Sequence, residues 1–465
     1  MTEAVQVGTG FEPVHVDRRV QALTRPSLSY WQDAWRRLKS NRRAFISLYI
    51  VIGLLVFTIA GPWVWQVDPA AQDLDQVSKP PGADRRAFVA EAYQPWEGIT
   101  MPVPDVPADS LVPGNLRFVG TTTTQAVRLA WDPVPGAFGY RIYRNIYEPG
   151  PDRALGLPLG DILVPQQVSY EDRLDLEPQA YYYSVLSLDR YGAEVSEPAM
   201  LEVAVTRVIT PAQAVERGLA TSESDLQSGD ELQLALHPLG TDYLGRDLLA
   251  RLMSGARVSL LIGIVAPLFY VMLGIAYGST AGFMGGKVDA LLMRFADFVV
   301  ALPFLLFMIL FKIAFGIGPG ESGIFPMLVA LVLLGWPSTA RLVRGQILQI
   351  REEGYIGASR LLGARTGYLV LRHMIPNTMG VILVTLTFAI PSAIFTEAFL
   401  SFIGMGVAPP TPSWGSMSNE GIRTMLSTPH ELIFPAVMIS ITVLAFNLLG
   451  DGLRDAFDAR MRSRE

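Results

Sequence analysis

The sequence predicts a polytopic α-helical membrane protein with six transmembrane helices and an all-β sandwich inserted after the first of them. Three observations lead there. Half of the 465 residues are hydrophobic and the mean hydropathy is +0.32, too apolar for a soluble chain of this length. Six runs approach or exceed the roughly 20 residues that cross about 30 Å of hydrocarbon as a helix. The connector after the first run spans about 190 residues, too many to lack structure of its own.

In chain order, a tail (1–43) leads into the first span (44–66), which ends without a small-x-small cleavage pattern and reads as an uncleaved signal-anchor. A polar linker (67–111), a β-domain (112–208) and a second linker with an amphipathic pre-membrane segment (209–257) follow. The remaining spans, 258–282, 297–316, 324–340, 379–402 and 432–450, make a five-helix core (258–451), and a short tail (452–465) closes the chain. The net charge of −6 is segregated, with acidic residues in the long connector and basic residues beside the apolar runs. Arg36, Arg37, Lys39, Arg42 and Arg43 precede the first run. Lys287 and Arg294 follow the second, Arg344, Arg351, Arg360, Arg365 and Arg372 follow the fourth, and Arg454, Arg460, Arg462 and Arg464 follow the sixth. Alternating helices put all of these on one side, which the positive-inside rule makes cytoplasmic, with both termini inside and the β-domain outside. The opposite connectors carry few cations, Arg423 among them.

Within 112–208, apolar residues alternate at Val127, Leu129 and Trp131, at Tyr140 and Ile142, and at Tyr181, Tyr183 and Val185. The turn clusters "DPVPGAFG", "EPGPDRALGLPLGD" and "DRYGAEVSEP" separate them, as in a β-sandwich. "LEPQAYYYSV" places Leu176, Pro178 and Tyr181 as a tyrosine corner does. The block, through Trp131 and the "YRIYRN" strand, resembles a fibronectin type III domain and carries no catalytic constellation. A spacer or lid and a docking surface both fit it.

Several chemistries are excluded or disfavoured. With no cysteine there are no disulfides or thiolate metal sites. "AGFMGGKV" fails as a phosphate loop, because Val288 replaces the Ser/Thr that binds magnesium and Ala281 replaces the first glycine. In "HPLGTDYLGRD", His237, Asp242 and Asp247 match no metal-ligand spacing, and the segment reads as a turn followed by a helix capped by Thr241 or Asp242. Glu397, deep in the fifth run, is the candidate for a translocation-pathway or inter-subunit contact, with a structural partner on a neighbouring helix as the alternative, while Lys312 snorkels from the third. Pro303, Pro337 and Pro391 interrupt helices.

The connector 344–377 holds "IGASRLLGARTGYLVLRHMIPN". Two short helices turning at Gly363 would carry Gly357, Ala358, Ser359, Leu361 and Leu362 on the first and Tyr368, Leu369 and Leu371 on the second. Small residues admit another protein's surface and leucines supply apolar area. Its arginines equally suit an anionic lipid surface. The segment is similar to the E-A-A-x3-G-x9-I-x-L-P coupling loop of bacterial ABC-importer permeases, with Gly357, Ala358, Ser359, Gly363, His373, Ile375 and Pro376 on its positions. Gly357 stands where that family has glutamate and Ser359 where it has the second alanine, with Glu352 and Glu353 close by. "RHMIPN", containing Arg372, looks like the peptide-importer branch. "WRRLKSNRRAFISL", "HPLGTDYLGRDLLARLMSGARVSLLIG", "EAFLSFIGMGVAPPTPSWGSM" and "ITVLAFNLLGDGLRDAFDAR" resemble, in order, the second permease chain of dipeptide and oligopeptide importers.

The resemblance implies a type I ABC importer permease in the bacterial cytoplasmic membrane, importing peptides or similar small solutes such as nickel chelates or opines. It implies as partners a homologous permease, two cytoplasmic ATPases and an external binding protein, and no nucleic acid. The coupling loop then includes Leu362 and Arg372 beside the motif residues. The chain itself is expected to be no enzyme and to hold no cofactor, ATP and magnesium being bound by the ATPase subunits. Two rival classes remain. A receptor or adhesion protein would need only one span, and a secondary transporter would need intramembrane carboxylates, of which only Glu397 offers itself, and internal repeats, of which none is evident.

Overall fold

The computed structural model describes residues 30–105, 110–150, 154–315 and 322–457. The chain forms two compact units, Met1–Gly82 with His237–Glu465, and Ala83–Leu236. The tail before residue 30, the end of the expected third span at Gly316, and Arg460, Arg462 and Arg464 lie outside the described residues. Helices α1 (Tyr30–Ser40) and α2 (Arg42–Val64) precede the second unit, which carries α3 (Pro211–Glu216). Then come α4 (Leu248–Met284), α5 (Gly286–Ala301), α6 (Phe304–Ala314), α7 (Ile324–Arg351), α8 (Gly354–Leu361), α9 (Thr366–Tyr368), α10 (Ile375–Phe402), α11 (Trp414–Arg423) and α12 (His430–Phe457).

Among the described residues, α2, α4, α7, α12 and the stretch Thr366–Phe402 ending in α10 are long and apolar enough to cross a membrane. The expected third span, 297–316, is not one helix. Helices α5 and α6 meet at 83°, so the count is six only if this bent pair is one crossing. The break follows from Pro303, whose ring holds Leu302 extended and which caps α6 without an N–H to continue α5. The expected fourth span, 324–340, is the first part of a 28-residue helix that carries Arg341, Arg344 and Arg351 beyond the apolar stretch. Likewise 258–282 is the inner part of the 37-residue α4.

Lipid offers no hydrophobic force between helices, so close packing must hold them together. Helix α4 supplies it with "GIAYGSTAG": Gly274, Gly278 and Gly282, four residues apart, form one ridge. A Cβ at these positions would meet the carbonyl oxygens of Trp336, Ala340 and Arg344, themselves four residues apart on α7. The two backbones therefore touch along three successive turns. On another face of α4, Gly263 seats Ile394 of α10. Helices α1, α2 and α12 join through a cluster that includes Leu38, Ala44, Leu449 and Ala456.

The second unit contains two sheets in the order β2-β3-β6 and β5-β4-β7-β8. These are β2 (Arg117–Phe118), β3 (Val127–Ala130), β4 (Gly139–Asn145), β5 (Leu157–Ile162), β6 (Ser169–Asp172), β7 (Ala180–Leu188) and β8 (Ala199–Ala204). Their pairings within each sheet are antiparallel. Three strands against four is the arrangement of a fibronectin type III sandwich. The alternating residues close its core, with Trp131, Tyr140, Ile142 and Tyr183 fully buried. The corner forms as the sequence indicates, the Glu177 backbone N–H donating to the Tyr181 hydroxyl at 2.9 Å. The flanks at 67–111 and 209–257 are not simply polar linkers. Within them β1 (Arg86–Val89) pairs with β9 (Val208–Ile209) and β10 (Glu231–Gln233) in a third sheet. Ala87, Ile209, Ala214 and Leu234 form its small core, so few apolar residues suffice to order a segment whose composition is mainly polar.

Two outcomes follow. Gly278→Val forces a side chain into the α7 backbone and should cost roughly 1–3 kcal/mol or more, seen as a lower thermal midpoint of the purified protein. Gly345→Ala, at a position with open space, should leave that midpoint unchanged or raise it. In the sandwich, the Tyr183 hydroxyl donates to Asp172 at 2.7 Å. Burial first, then the Asp172 charge, pushes the Tyr183 phenol far above its ordinary value. A raised folded value means this stabilisation is complete below the unfolded phenol's pKa of about 10 and declines as pH rises past it. Denaturation of the sandwich between neutral pH and about pH 11 should show this decline, and Tyr183→Phe should remove that part of it.

Candidate functional site

The residues singled out in the connector form a hairpin at one end of the helical unit. Helix α7 ends at Arg351, and the exposed pair Glu352 and Glu353 turns the chain into α8. Helix α8 closes where the Gly363 N–H bonds the Arg360 carbonyl and the Ala364 N–H reaches back to Ser359. Gly363 takes the φ of +86° that this left-handed cap requires and that side chains resist. Helix α9 then passes into one π-helical turn, Leu369–Met374, and Ile375 and Pro376 start α10.

One face of the hairpin is anchored. Ile356 and Met374 are buried against Val271, Val343, Ile347 and Ile382, and Leu369 is buried as well. Leu369, expected on the docking face, is thus a pin instead. A π turn brings residues five apart onto the same side, which carries both Leu369 and Met374 inward. The Asn377 amide donates to the Tyr355 hydroxyl at 2.7 Å, and the His373 ring stands edge-on to Tyr368. The other face is bare. Leu361 and Leu362 are 90% and 89% exposed, and Gly357, Ala358, Tyr368 and Leu371 are exposed beside them. Ser359 and His373 are half-buried, and Arg360, Arg365 and Arg372 are exposed. Helix α8 contains no carboxylate.

The hairpin is tied into the bundle by pairings that the sequence does not reveal. Arg344 makes two bonds to Asp289 of α5, at 2.5 and 2.6 Å, and Arg341 pairs with Asp297 at 2.7 Å. Arg351 donates to the carbonyls of Gly282 and Phe283 at the end of α4. The four-residue spacing of the α4 glycines was the available signal for this helix pair, and Asp289 and Arg344 gave none, because opposite charges in separate connectors do not reveal their pairing.

A second polar constellation sits at the start of α4. Asp247, not Thr241 or Asp242, caps that helix, accepting from the Ala250 N–H at 2.6 Å. It also takes the Trp65 indole N–H at 3.1 Å and contacts the His237 ring at 2.7 Å. Asp242 folds its own turn, accepting from the N–H groups of Leu244 and Arg246, and pairs with the guanidiniums of Arg246 and Arg251. Both arginines also reach Glu420 of α11. Thr241 is fully buried and bonds the backbone around Gln76 and Lys79. Among the described residues no three histidine, aspartate or glutamate side chains gather as a metal site.

Glu397 lies inside the subunit, away from its surface. Fully buried, it accepts hydroxyl bonds from Ser259 of α4 and Ser401 of α10, both at 2.8 Å. The same hydroxyls accept the N–H groups of Trp414 and Val407, so the carboxylate organises the segment after α10 from inside. Lys312 donates to the Gly404 carbonyl at 3.1 Å.

Residues 274–463 match the family described as binding-protein-dependent transport system inner membrane component, and residues 29–81 match the N-terminal TM domain of oligopeptide transport permease C. The oligopeptide transport system permease protein OppC of Bacillus subtilis is 44% identical over 241 residues, which are 52% of this chain and 77% of that one. The dipeptide transport system permease protein DppC of the same organism is 46% identical over 227 residues, 49% of this chain and 69% of that one. The glutathione transport system permease protein GsiD of Pectobacterium atrosepticum is 41% identical over 227 residues, covering 49% and 74%. The two family matches leave out the Ala83–Leu236 unit, which lies between them in the chain. The chain belongs to the binding-protein-dependent transport system inner membrane components, the permeases of ABC importers.

Proposed function

We propose that this chain is one of two permease subunits in an ATP-driven importer of dipeptides or oligopeptides in a bacterial cytoplasmic membrane. The relatives named for oligopeptide, dipeptide and glutathione transport support the substrate class. A homologous permease completes the pathway, an external binding protein delivers substrate, and two cytoplasmic ATPases bind ATP and magnesium. The arginine-bearing ends, including the 354–374 hairpin, face the cytoplasm together with both termini, and the sandwich faces outward.

The observation that carries this reading is the hairpin with its buried root and bare leucine tip. Apolar side chains this exposed on a connector are costly unless a partner covers them, and the glycine, alanine and leucine face around Gly357 to Leu362 has the shape of a plug for an ATPase groove. Through α7 the plug connects to α4 by the glycine ridge and to α5 by the Arg344–Asp289 pair. Closure of the ATPase dimer would then displace a block of helices as a body, opening the pathway to one side or the other.

Leu361→Asp with Leu362→Asp tests this without touching the folded core, because both side chains are almost fully exposed. The double variant should keep its thermal midpoint while association with the ATPase subunits weakens on the order of 100-fold, and ATP-dependent peptide uptake should fall with it. Unchanged co-purification of the ATPases would refute the coupling role.

A further inference from the structure

At the far end of the helical unit from the hairpin, a cavity of about 430 Å³ opens between α6, α11 and the turns flanking them, a size suited to a small organic ligand. Its lining includes Tyr243, Lys312, Gly404, Asn419, Glu420 and Arg423. The charges there are incompletely paired. Lys312 stands in the otherwise apolar α6, and its ammonium makes one hydrogen bond among the described residues, to the Gly404 carbonyl at 3.1 Å. Arg423, exposed at the end of α11, makes no ion pair among the described residues. Glu420 is held by Arg246 and Arg251 through Oε2 alone, which leaves Oε1 available. Lys312, an ionisable group in an apolar helix with no carboxylate partner among the described residues, stands where a ligand or transport position is expected.

We propose that this cavity is a transit subsite for peptides with a free C-terminus, in which Lys312 and Arg423 take the α-carboxylate and Glu420 Oε1 accepts an N–H of the same peptide. The inference rests on the peptide-import reading and adds to it a recognition step within the permease itself. Two cations facing one carboxylate, with a fixed acceptor beside them, suit a zwitterionic or C-terminally charged chain better than a neutral solute.

The test uses the complete importer in proteoliposomes, with saturating binding protein and radiolabelled trialanine or its C-terminal amide. Lys312→Met should lower uptake of trialanine roughly tenfold relative to wild type and leave uptake of the amide unchanged, the loss of one charge-assisted hydrogen bond. Lys312→Arg should restore most of the difference. Arg423→Gln, at an exposed position without an ion pair among the described residues, should reproduce the selective loss and serves if Lys312→Met fails to assemble. Because the binding protein is the same throughout, only the interaction between variant and terminus reports on the cavity. An equal loss for both peptides, as from a structural or lipid-headgroup role, overturns the subsite while leaving peptide import intact. Wild-type uptake of neither peptide overturns the import reading and the subsite with it.

Discussion

Backbone contact between α4 and α7 is the constraint on which the helical unit depends. Gly274, Gly278 and Gly282 remove every side chain from one stripe of α4, and the carbonyls of Trp336, Ala340 and Arg344 occupy the space. In lipid such a contact is worth having because dispersion and geometry, not water, drive association. It also fixes what lies beyond. Once α7 is seated on α4, Arg344 falls opposite Asp289 and Arg351 opposite the last carbonyls of α4, and the hairpin root closes over Val343 and Ile347.

Several buried carboxylates of the helical unit are held by more than one partner. Glu397 is surrounded by hydroxyls that themselves receive backbone N–H groups. Asp242 and Asp247 each serve a turn or helix end before pairing with a side chain. Lys312, Arg423 and Glu420, whose charges are incompletely paired among the described residues, line one cavity.

Much of this was legible in the sequence, for identifiable reasons. Length and hydropathy mark a span because the bilayer admits few alternatives, and alternation around Val127, Tyr140 and Tyr183 marks strands because a sandwich buries one face. Gly363 could be placed as a turn because only that residue suits a left-handed cap at little cost. The bend at Pro303 was legible only as an interruption, since composition reports apolarity and not direction. Leu369 was misassigned because a π turn shifts the helical phase by one residue, and hydrophobic periodicity assumes the ordinary phase. Glu397 stood out as an intramembrane charge, but its partners were not legible, since nothing in the sequence says that Ser259 and Ser401 reach it.

The central claim is that the hairpin and α4 move as one body when the ATPases act. Spin labels at Ala358 on the hairpin and Met284 at the end of α4, both exposed, measure it directly in the assembled importer. The inter-label distance should stay constant between the nucleotide-free and ATP-vanadate states while distances to the paired permease change. A change in the Ala358–Met284 distance with ATP, showing a hinge at Glu352 and Glu353, would contradict it.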